Sequence, residues 1–269
     1  MTDAARFLQS VTLPVMPEVG HALIRTLNRD DADVPMVTAV IAKDPALTAT
    51  LLRMANSAMF GLSRRVYTLD SAVHVIGMAH IRARALSVCL ARSFVFPPGL
   101  DRFNFWRNSM VCAGYAKWLA SHTSMDDQEA WLTGMMLRLG EIVIAQRLPD
   151  TLVQIEAQPC APGERWRRER DAAGFDEGQV AAEIARRWDF PETVAIALEY
   201  TAVPLSLTAP RLAAVIHLAS LITDQEATGS PLLTNLPASA LQSAGLTVEK
   251  LQTRTPNAGS FCDISMLQA

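Results

Sequence analysis

The residues that could do chemistry in this chain of 269 residues are its histidines, its acids and two groups of arginines. No two histidines have the H-x-x-x-H or H-E-x-x-H spacing of a zinc site, so a metal would need ligands that converge from distant segments. The G-x-S-x-G, Walker A and G-x-G-x-x-G patterns are absent as well. Local spacing therefore predicts neither a metal site nor a nucleotide loop. The five histidines are His21, His74, His80, His122 and His217.

Asn56 and Ser57 form the most distinctive polar pair, and they follow a predicted helix that also carries Arg53. The pair could contact a partner or a small ligand. The interpretation we favour is that both side chains bond backbone groups where the helix ends. Arg53 is expected either to extend its charged end to solvent or to bond carbonyl groups at the same helix end.

Two arginine-rich segments are further candidates for binding an anion. Arg64 and Arg65, with Arg82 and Arg84, would suit a phosphate or an acidic partner, although a solvated face is the commoner arrangement. Residues 164–170 read E-R-W-R-R-E-R, in which arginine and tryptophan could form an interface or stack on a base. We favour an exposed helix with pairs at i,i+3 and i,i+4 spacing.

Composition narrows the class of protein. Half of the residues are hydrophobic and the net charge is −3, which favours a folded domain and argues against a broad nucleic-acid surface. No apolar run reaches the roughly 18 residues of a membrane span, and the N-terminus does not resemble a signal peptide. The widely spaced Cys89, Cys112, Cys160 and Cys262 indicate reduced thiols, so we expect a cytoplasmic protein.

Hydrophobic periodicity is helical almost throughout, which predicts an all-α fold. Asp33 and Asp44, each followed by a proline, are expected to start helices, and Asp70 is expected to cap a short helix that Gly77 ends. The second of these helices carries an apolar stripe that includes Leu51. Later helices are predicted over 79–92, 102–121, 126–147, 163–172, 177–188, 191–200 and 210–224, with one or two short helices in the tail.

A dense pattern in the N-terminal half resembles the HDOD family, the HD-related output domain of bacterial signalling proteins. It includes L-P-x-x-P from residue 13, D-P-x-L-T-x-x-L-L-R-x-A-N-S from residue 44, F-G at residues 60–61 and T-L-x-x-A-V-x-x-I-G from residue 68. The resemblance covers roughly residues 13–219. It implies a multi-helical HD-domain fold like that of the HD-GYP cyclic dinucleotide phosphodiesterases, with an N-terminal helical subdomain and without their metal ligands.

The segment W-L-T-G-M-M-L-R-L-G-E at residues 131–141 has the outline of the G-L-L-H-D-I-G signature of HD phosphohydrolases. The resemblance places Leu137 at the position of the histidine and Arg138 at that of the aspartate. Neither can bind a metal, because leucine has no lone pair and a guanidinium has no acceptor atom. The other ligand positions are also changed. The aligned residues, which we call the vestigial pocket, are Asn108, Leu137, Arg138, Glu177, Glu199, Tyr200 and Ser220.

The resemblance implies a non-catalytic signalling or regulatory protein without a cofactor or bound metal, although residual hydrolase activity stays open. Its parts are expected at 1–96 (N-terminal helical region), 100–225 (degenerate HD-like domain) and 226–269 (helical tail). We expect a signalling partner protein, with a small anionic ligand or a homodimer as further options, and neither a membrane nor a nucleic acid. The alternatives are a divergent metal-dependent phosphohydrolase with displaced ligands, similar to cyclic-nucleotide phosphodiesterases, and a nucleotide-binding regulator. Candidate contact residues are Arg53, Asn56, Ser57, Arg64 and Arg65.

Arg138 allows a sharper prediction, because a buried guanidinium must be paired. We expect it either to bond an acid, with Glu141, Glu177 and Glu199 as candidates, or to point to solvent at the mouth of the pocket. The first arrangement would make the pocket a filled structural relic, and the second would leave room for an anion.

Overall fold

The computed structural model describes residues 2–57, 60–157, 160–203 and 209–261, and within these ranges the chain is helical with no strand. The all-α prediction is confirmed. In chain order the helices are α1 (Asp3–Gln9), α2 (Glu18–Leu27), α3 (Val34–Ile41), α4 (Pro45–Ala55), α5 (Leu69–Ile76), α6 (Met78–Ser93), α7 (Arg102–Ala120), α8 (Asp127–Met136), α9 (Leu139–Arg147), α10 (Pro149–Glu156), α11 (Glu164–Ala173), α12 (Glu177–Arg187), α13 (Glu192–Glu199), α14 (Arg211–Thr228), α15 (Ala238–Ala244) and α16 (Val248–Gln252).

Side-chain caps explain where several helices begin. The carboxylate of Asp33 accepts a hydrogen bond from the Met36 amide at 2.9 Å, and that of Asp44 accepts one from Leu47 at the same distance. Both predicted caps are therefore present. The prediction for α5 was wrong, because the Thr68 hydroxyl caps that helix and Asp70 lies in its first turn.

The described residues form two compact units. One comprises residues 14–95 and 188–191, and contains α2 to α6. The other comprises residues 2–13, 96–187 and 192–261, so that α1 and the helices of the tail group with α7 to α14. This division differs from the sequence-based boundaries by assigning the first helix and the tail to the HD-like unit. In that unit α7 packs against α8 and α14, and α12 packs against α9 and α13.

The long helix predicted over 126–147 is two helices, because α8 ends at Met136 and α9 begins at Leu139. Helices α1 and α10 were not anticipated, and both are short amphipathic segments. Within the described ranges no single helix has the length and hydropathy to cross a bilayer, although α5 and α6, bent by 117°, pass that test as a pair by length and composition alone.

Three cysteines are free thiols, as the spacing predicted. Cys89 and Cys112 are buried and Cys160 is half-buried, while Cys262 lies outside the described residues. Burial raises the pKa of the Cys89 and Cys112 thiols to about 12, so both stay protonated and unreactive near neutral pH.

Candidate functional site

The break between α8 and α9 lies at the segment that resembles the HD signature. Leu137 is fully buried and caps α8, and Arg138 precedes the first residue of α9. A Cβ atom added to Gly140 would overlap the carbonyl oxygen of Glu177. Glycine at this position therefore lets the start of α12 lie directly against the start of α9. This contact brings Glu177 of α12 close to Arg138.

Arg138 is paired inside the protein. Its Nη2 donates to Asp224 Oδ1 of α14 at 3.0 Å, and its Nη1 lies 3.7 Å from Glu141 Oε2. The side chain is only 10% exposed. Burial opposes the positive charge, but Glu177, Asp224 and Glu141 more than offset it and raise the pKa of Arg138. The first of the two predicted arrangements is therefore the one observed.

A second guanidinium completes the arrangement. Arg165 of α11 pairs with Glu141 at 3.1 Å and with Glu169 at 3.0 Å. It also pairs with Glu156, whose side chain is largely exposed. Glu141 is thus shared between two cations. The Glu141 carboxyl is 7% exposed and that of Glu169 is 1% exposed, so both acids are buried and face a cationic partner. We call Arg138, Glu141, Arg165, Glu169, Glu177 and Asp224 the ion-pair cluster.

Two acids of the cluster lie close together. Glu169 Oε2 accepts a hydrogen bond from the backbone amide of Glu177 at 2.7 Å, and Glu177 Oε1 accepts one from Trp166 Nε1 at 3.2 Å. Burial raises the pKa of the Glu169 carboxyl to about 7, although Arg165 lowers it in part. Burial, together with the neighbouring Glu169, raises the pKa of Glu177 well above its usual range. Arg138 and Arg165 act in the opposite direction and favour the charged form of the Glu177 carboxyl.

A cavity of about 370 Å³ opens beside the cluster. Its polar walls include Asn108, which aligns with the first histidine of HD enzymes, together with both arginines of the cluster. The structure therefore places Asn108 and Glu177 near Arg138. The full lining is Gly99, Leu100, Asp101, Asn104, Phe105, Asn108, Arg138, Glu141, Leu152, Glu156 and Arg165.

Other aligned positions do not contribute charged groups to the cluster. Glu199 pairs with Arg186 instead of Arg138, and the neighbouring Tyr200 is half-buried. Ser220 is buried on α14, but its hydroxyl is not the group that faces Arg138. That group belongs to Asp224, one helical turn further along.

Sequence reasoning missed three members of the cluster. Asp224 stands four residues after Ser220, and its signal was the i,i+4 spacing on a predicted helix. Arg165 and Glu169 have the same spacing on α11 and are paired through it. The expectation of an exposed helix was wrong for Arg165, Trp166 and Glu169, although the predicted pair of Glu164 and Arg168 does lie on it at 3.2 Å.

The candidate contacts in the N-terminal unit have different surroundings. The Asn56 side chain bonds the backbone of Val66 through both its amide nitrogen and its oxygen, each at 2.8 Å, and also bonds the Leu52 carbonyl. It thereby joins the end of α4 to the following loop, in agreement with the backbone interpretation. The same interpretation was wrong for Ser57, which is half-buried and whose hydroxyl has no hydrogen-bond partner within the described residues.

The arginines of the N-terminal unit do not form one exposed patch. Arg53, Arg64 and Arg65 are exposed. Arg82 donates to the Thr26 carbonyl at 3.1 Å, and Arg84 is buried. The cationic surface that could meet an anion therefore comprises fewer residues than the sequence indicated.

The cluster residues do not fit a divalent cation. A metal would need several convergent oxygen or nitrogen ligands, whereas Glu141, Glu169 and Asp224 direct their oxygens to guanidinium groups. Two fixed cations would also repel the metal. Among the described residues, no group of three or more His, Cys, Asp or Glu side chains has an arrangement that could hold a metal ion.

Comparisons with known proteins point to one family. The HDOD domain model matches residues 13–204. A candidate phosphohydrolase from Shewanella amazonensis SB2B superposes with a TM-score of 0.78 at 24% identity, covering 99% of this chain and 97% of that one. A candidate signal transduction protein from Marinobacter aquaeolei VT8 gives 0.76 at 22% identity, covering 96% and 60%. An HDOD domain protein of unknown function from Geobacter sulfurreducens gives 0.73 at 20% identity, covering 93% of both chains.

One curated relative is an uncharacterized protein from Treponema pallidum (strain Nichols), 26% identical over 189 residues. The match covers 68% of this chain but 36% of the relative, so the chain corresponds to about a third of that protein. The structural matches lie below 25% identity and carry information on the fold alone.

Proposed function

Because this chain belongs to the HDOD family, we propose that it is a cytoplasmic, non-catalytic regulatory module that acts by binding a signalling partner or a small ligand. The observation that carries the proposal is the position of Arg138. It stands where the resemblance places a metal-binding aspartate, and it forms ion pairs with Asp224 and Glu141 inside the protein. The acids that could have served a metal instead neutralise two arginines.

This arrangement supports binding in preference to chemistry. A phosphohydrolase of the HD type depends on cations that polarise the phosphoryl group and activate water. In this chain the corresponding region is electrostatically satisfied by ion pairs, and the pairs tie together α9, α11 and α14. Buried pairs of this kind fix the relative positions of helices, which suits a scaffold that presents a surface to another molecule.

The first test measures metal and activity together. Purification without chelator should yield a chain with far less than one equivalent of Fe, Mn, Zn or Mg by elemental analysis. The same preparation, supplied with Mn²⁺ or Mg²⁺, should not hydrolyse cyclic dinucleotides or phosphomonoesters. One or two tightly bound transition metals per chain, or turnover that is lost in Asp224→Asn and Glu177→Gln, would favour the alternative of a phosphohydrolase with displaced ligands.

A second measurement addresses the partner. The tagged chain, recovered from its native host, should retain a specific protein that also binds the purified chain in a direct titration. The nucleotide-binding alternative predicts a different result, namely binding of a nucleotide that weakens steeply with salt and needs no protein partner. Failure of both titrations would remove the support for a binding function.

A further inference from the structure

A second cavity, of about 440 Å³, lies in the same unit as the ion-pair cluster. This size is within the range of roughly 300–1,000 Å³ that is typical of pockets for small organic ligands. Its walls combine aromatic, apolar and polar side chains. We call it the Trp166 cavity, and its principal lining residues are Trp166, Arg170, His217, Leu221, Gln225 and Asn235.

An aromatic surface forms one wall. The rings of Trp166 and His217 lie 5.0 Å apart between centroids and are tilted by 31° to each other, so the two rings are in contact and form one aromatic pair. His217 Nδ1 lies 2.8 Å from the carbonyl oxygen of Thr201, which can only accept, so Nδ1 carries the proton. Burial lowers the pKa of His217, so the ring is neutral and its Nε2 is a hydrogen-bond acceptor.

A cation is part of the same lining. Arg170 bonds Asp176 through Nη1 at 2.8 Å, and 37% of its side chain is exposed. A guanidinium has five N–H donors in a planar fork, so the bond to Asp176 leaves donors that suit a carboxylate or a phosphate. The Trp166 cavity therefore offers a stacking surface and a positive charge to one occupant.

The loop that follows α14 is held in place around the cavity. Gln225 donates from Nε2 to the Thr234 carbonyl at 2.6 Å and accepts from the Leu233 amide at 3.0 Å. Leu233 and Asn235 have φ values of 64° and 54°, a left-handed conformation that is uncommon outside glycine. Such conformations persist where the surrounding structure enforces them, and they occur often at ligand sites.

We propose that the Trp166 cavity binds a small planar aromatic anion, whose ring packs against the aromatic pair of Trp166 and His217 and whose charged group meets Arg170. This inference rests on the proposed function and names the class of ligand that the module recognises. Trp166 also links the cavity to the ion-pair cluster, because its indole N–H donates to Glu177. A ligand in the cavity would therefore contact Trp166, whose hydrogen bond to Glu177 connects α11 to α12.

The experiment uses the full chain and two anionic probes, indole-3-acetate and adenosine monophosphate, in calorimetric titrations. Each has a matched uncharged analogue, indole-3-acetamide or adenosine, and acetate and inorganic phosphate supply the charge without the ring. At least one anionic aromatic probe should bind saturably, at least about tenfold more tightly than its uncharged analogue and than the ring-free anion. Equal binding of charged and uncharged probes, or no binding at millimolar concentration, would overturn the proposal.

Variants then locate the site. Arg170→Gln should weaken the anionic probe by at least about tenfold and leave its uncharged analogue unchanged, whereas Arg167→Gln, an exposed arginine of the same helix, should leave both unchanged. Trp166→Phe should keep the affinity within about threefold, since stacking remains, but abolish the ligand-induced change in tryptophan fluorescence. A fluorescence change that persists in Trp166→Phe, or full affinity in Arg170→Gln, would place the ligand elsewhere.

The comparison of matched probes on the unmodified chain does not depend on whether Arg170→Gln folds. It is also separate from the metal and hydrolysis assays. A chain that binds no probe but has neither metal nor activity would refute this inference and leave the proposed function intact. A chain that binds the probe and also hydrolyses phosphoesters would support this inference and refute the proposed non-catalytic function.

Discussion

Replacement of Arg138 by methionine tests whether the ion-pair cluster stabilises the fold. Methionine keeps most of the unbranched stem and removes the guanidinium, so the measured effect reports the charge more than the packing. The variant leaves Asp224 without its cation and leaves Glu141 with Arg165 alone. Both carboxylates are largely buried, with side chains 21% and 7% exposed.

Removing one partner of a buried pair costs about 3–5 kcal/mol, because the remaining charge is isolated from water. We expect a cost at the lower end of this range, because Asp224 is partly exposed and Glu141 keeps Arg165 as a second partner. Arg138→Met should therefore lower the free energy of unfolding by about 3 kcal/mol. Urea unfolding followed by circular dichroism measures this difference. An effect below about 0.5 kcal/mol, the usual range for surface substitutions, would refute the assignment of Arg138 to a buried pair.

Two controls make the result specific. Arg167→Met removes an arginine of α11 that is 62% exposed and pairs with Glu164 and Asp171, and it should cost less than about 1 kcal/mol. The double variant Arg138→Met with Asp224→Asn removes both charges but keeps an acceptor for the Gly163 amide, which donates to Asp224 at 2.9 Å. It should recover at least about 1 kcal/mol relative to the sum of the single variants, since contacting residues are not additive.

Three further substitutions test other parts of the structure. Leu51 is fully buried, so Leu51→Ala should lower the free energy of unfolding by about 2–5 kcal/mol in urea, and a loss of a few tenths would contradict its place in the core. Asp44→Ala removes the cap of α4 and the pair with Arg92 at 3.3 Å; the expected loss in thermal or urea unfolding is about 1–2 kcal/mol, and an unchanged melting curve would mean that the cap is unimportant. Burial raises the pKa of Glu169 from 4.5 to about 7, so the folded protein holds this proton more tightly than the unfolded chain, and its contribution to stability is lost as the pH rises through that interval. Glu169→Gln should therefore make the decline in stability between about pH 5 and pH 8 shallower by up to about 2 kcal/mol, and parallel pH profiles would refute the raised pKa.

Much of the fold could be predicted from the sequence because it depends on local rules. An aspartate before a proline fixes a helix start through bonds that span three residues, as at Asp33 and Asp44. The same rules failed where two local signals competed, since Thr68 and not Asp70 caps α5. The break after Met136 also escaped prediction, because the apolar periodicity of residues 127–147 continues through it. The close approach of Gly140 in α9 to Glu177 in α12 is a long-range contact that this periodicity does not record.

For the candidate site too, some properties follow from the sequence alone and others only from the tertiary structure. The sequence alone determined that Leu137 and Arg138 cannot bind a metal, because this follows from their side-chain chemistry wherever they lie. It also determined that Arg138, if buried, needs an acidic partner. Only the tertiary structure decided that the partner is Asp224, 86 residues away, and that Arg165 and Glu169 join the cluster. Ion pairing between distant segments depends on which helices pack together, and that is set by the whole core and not by the spacing of charges along the chain.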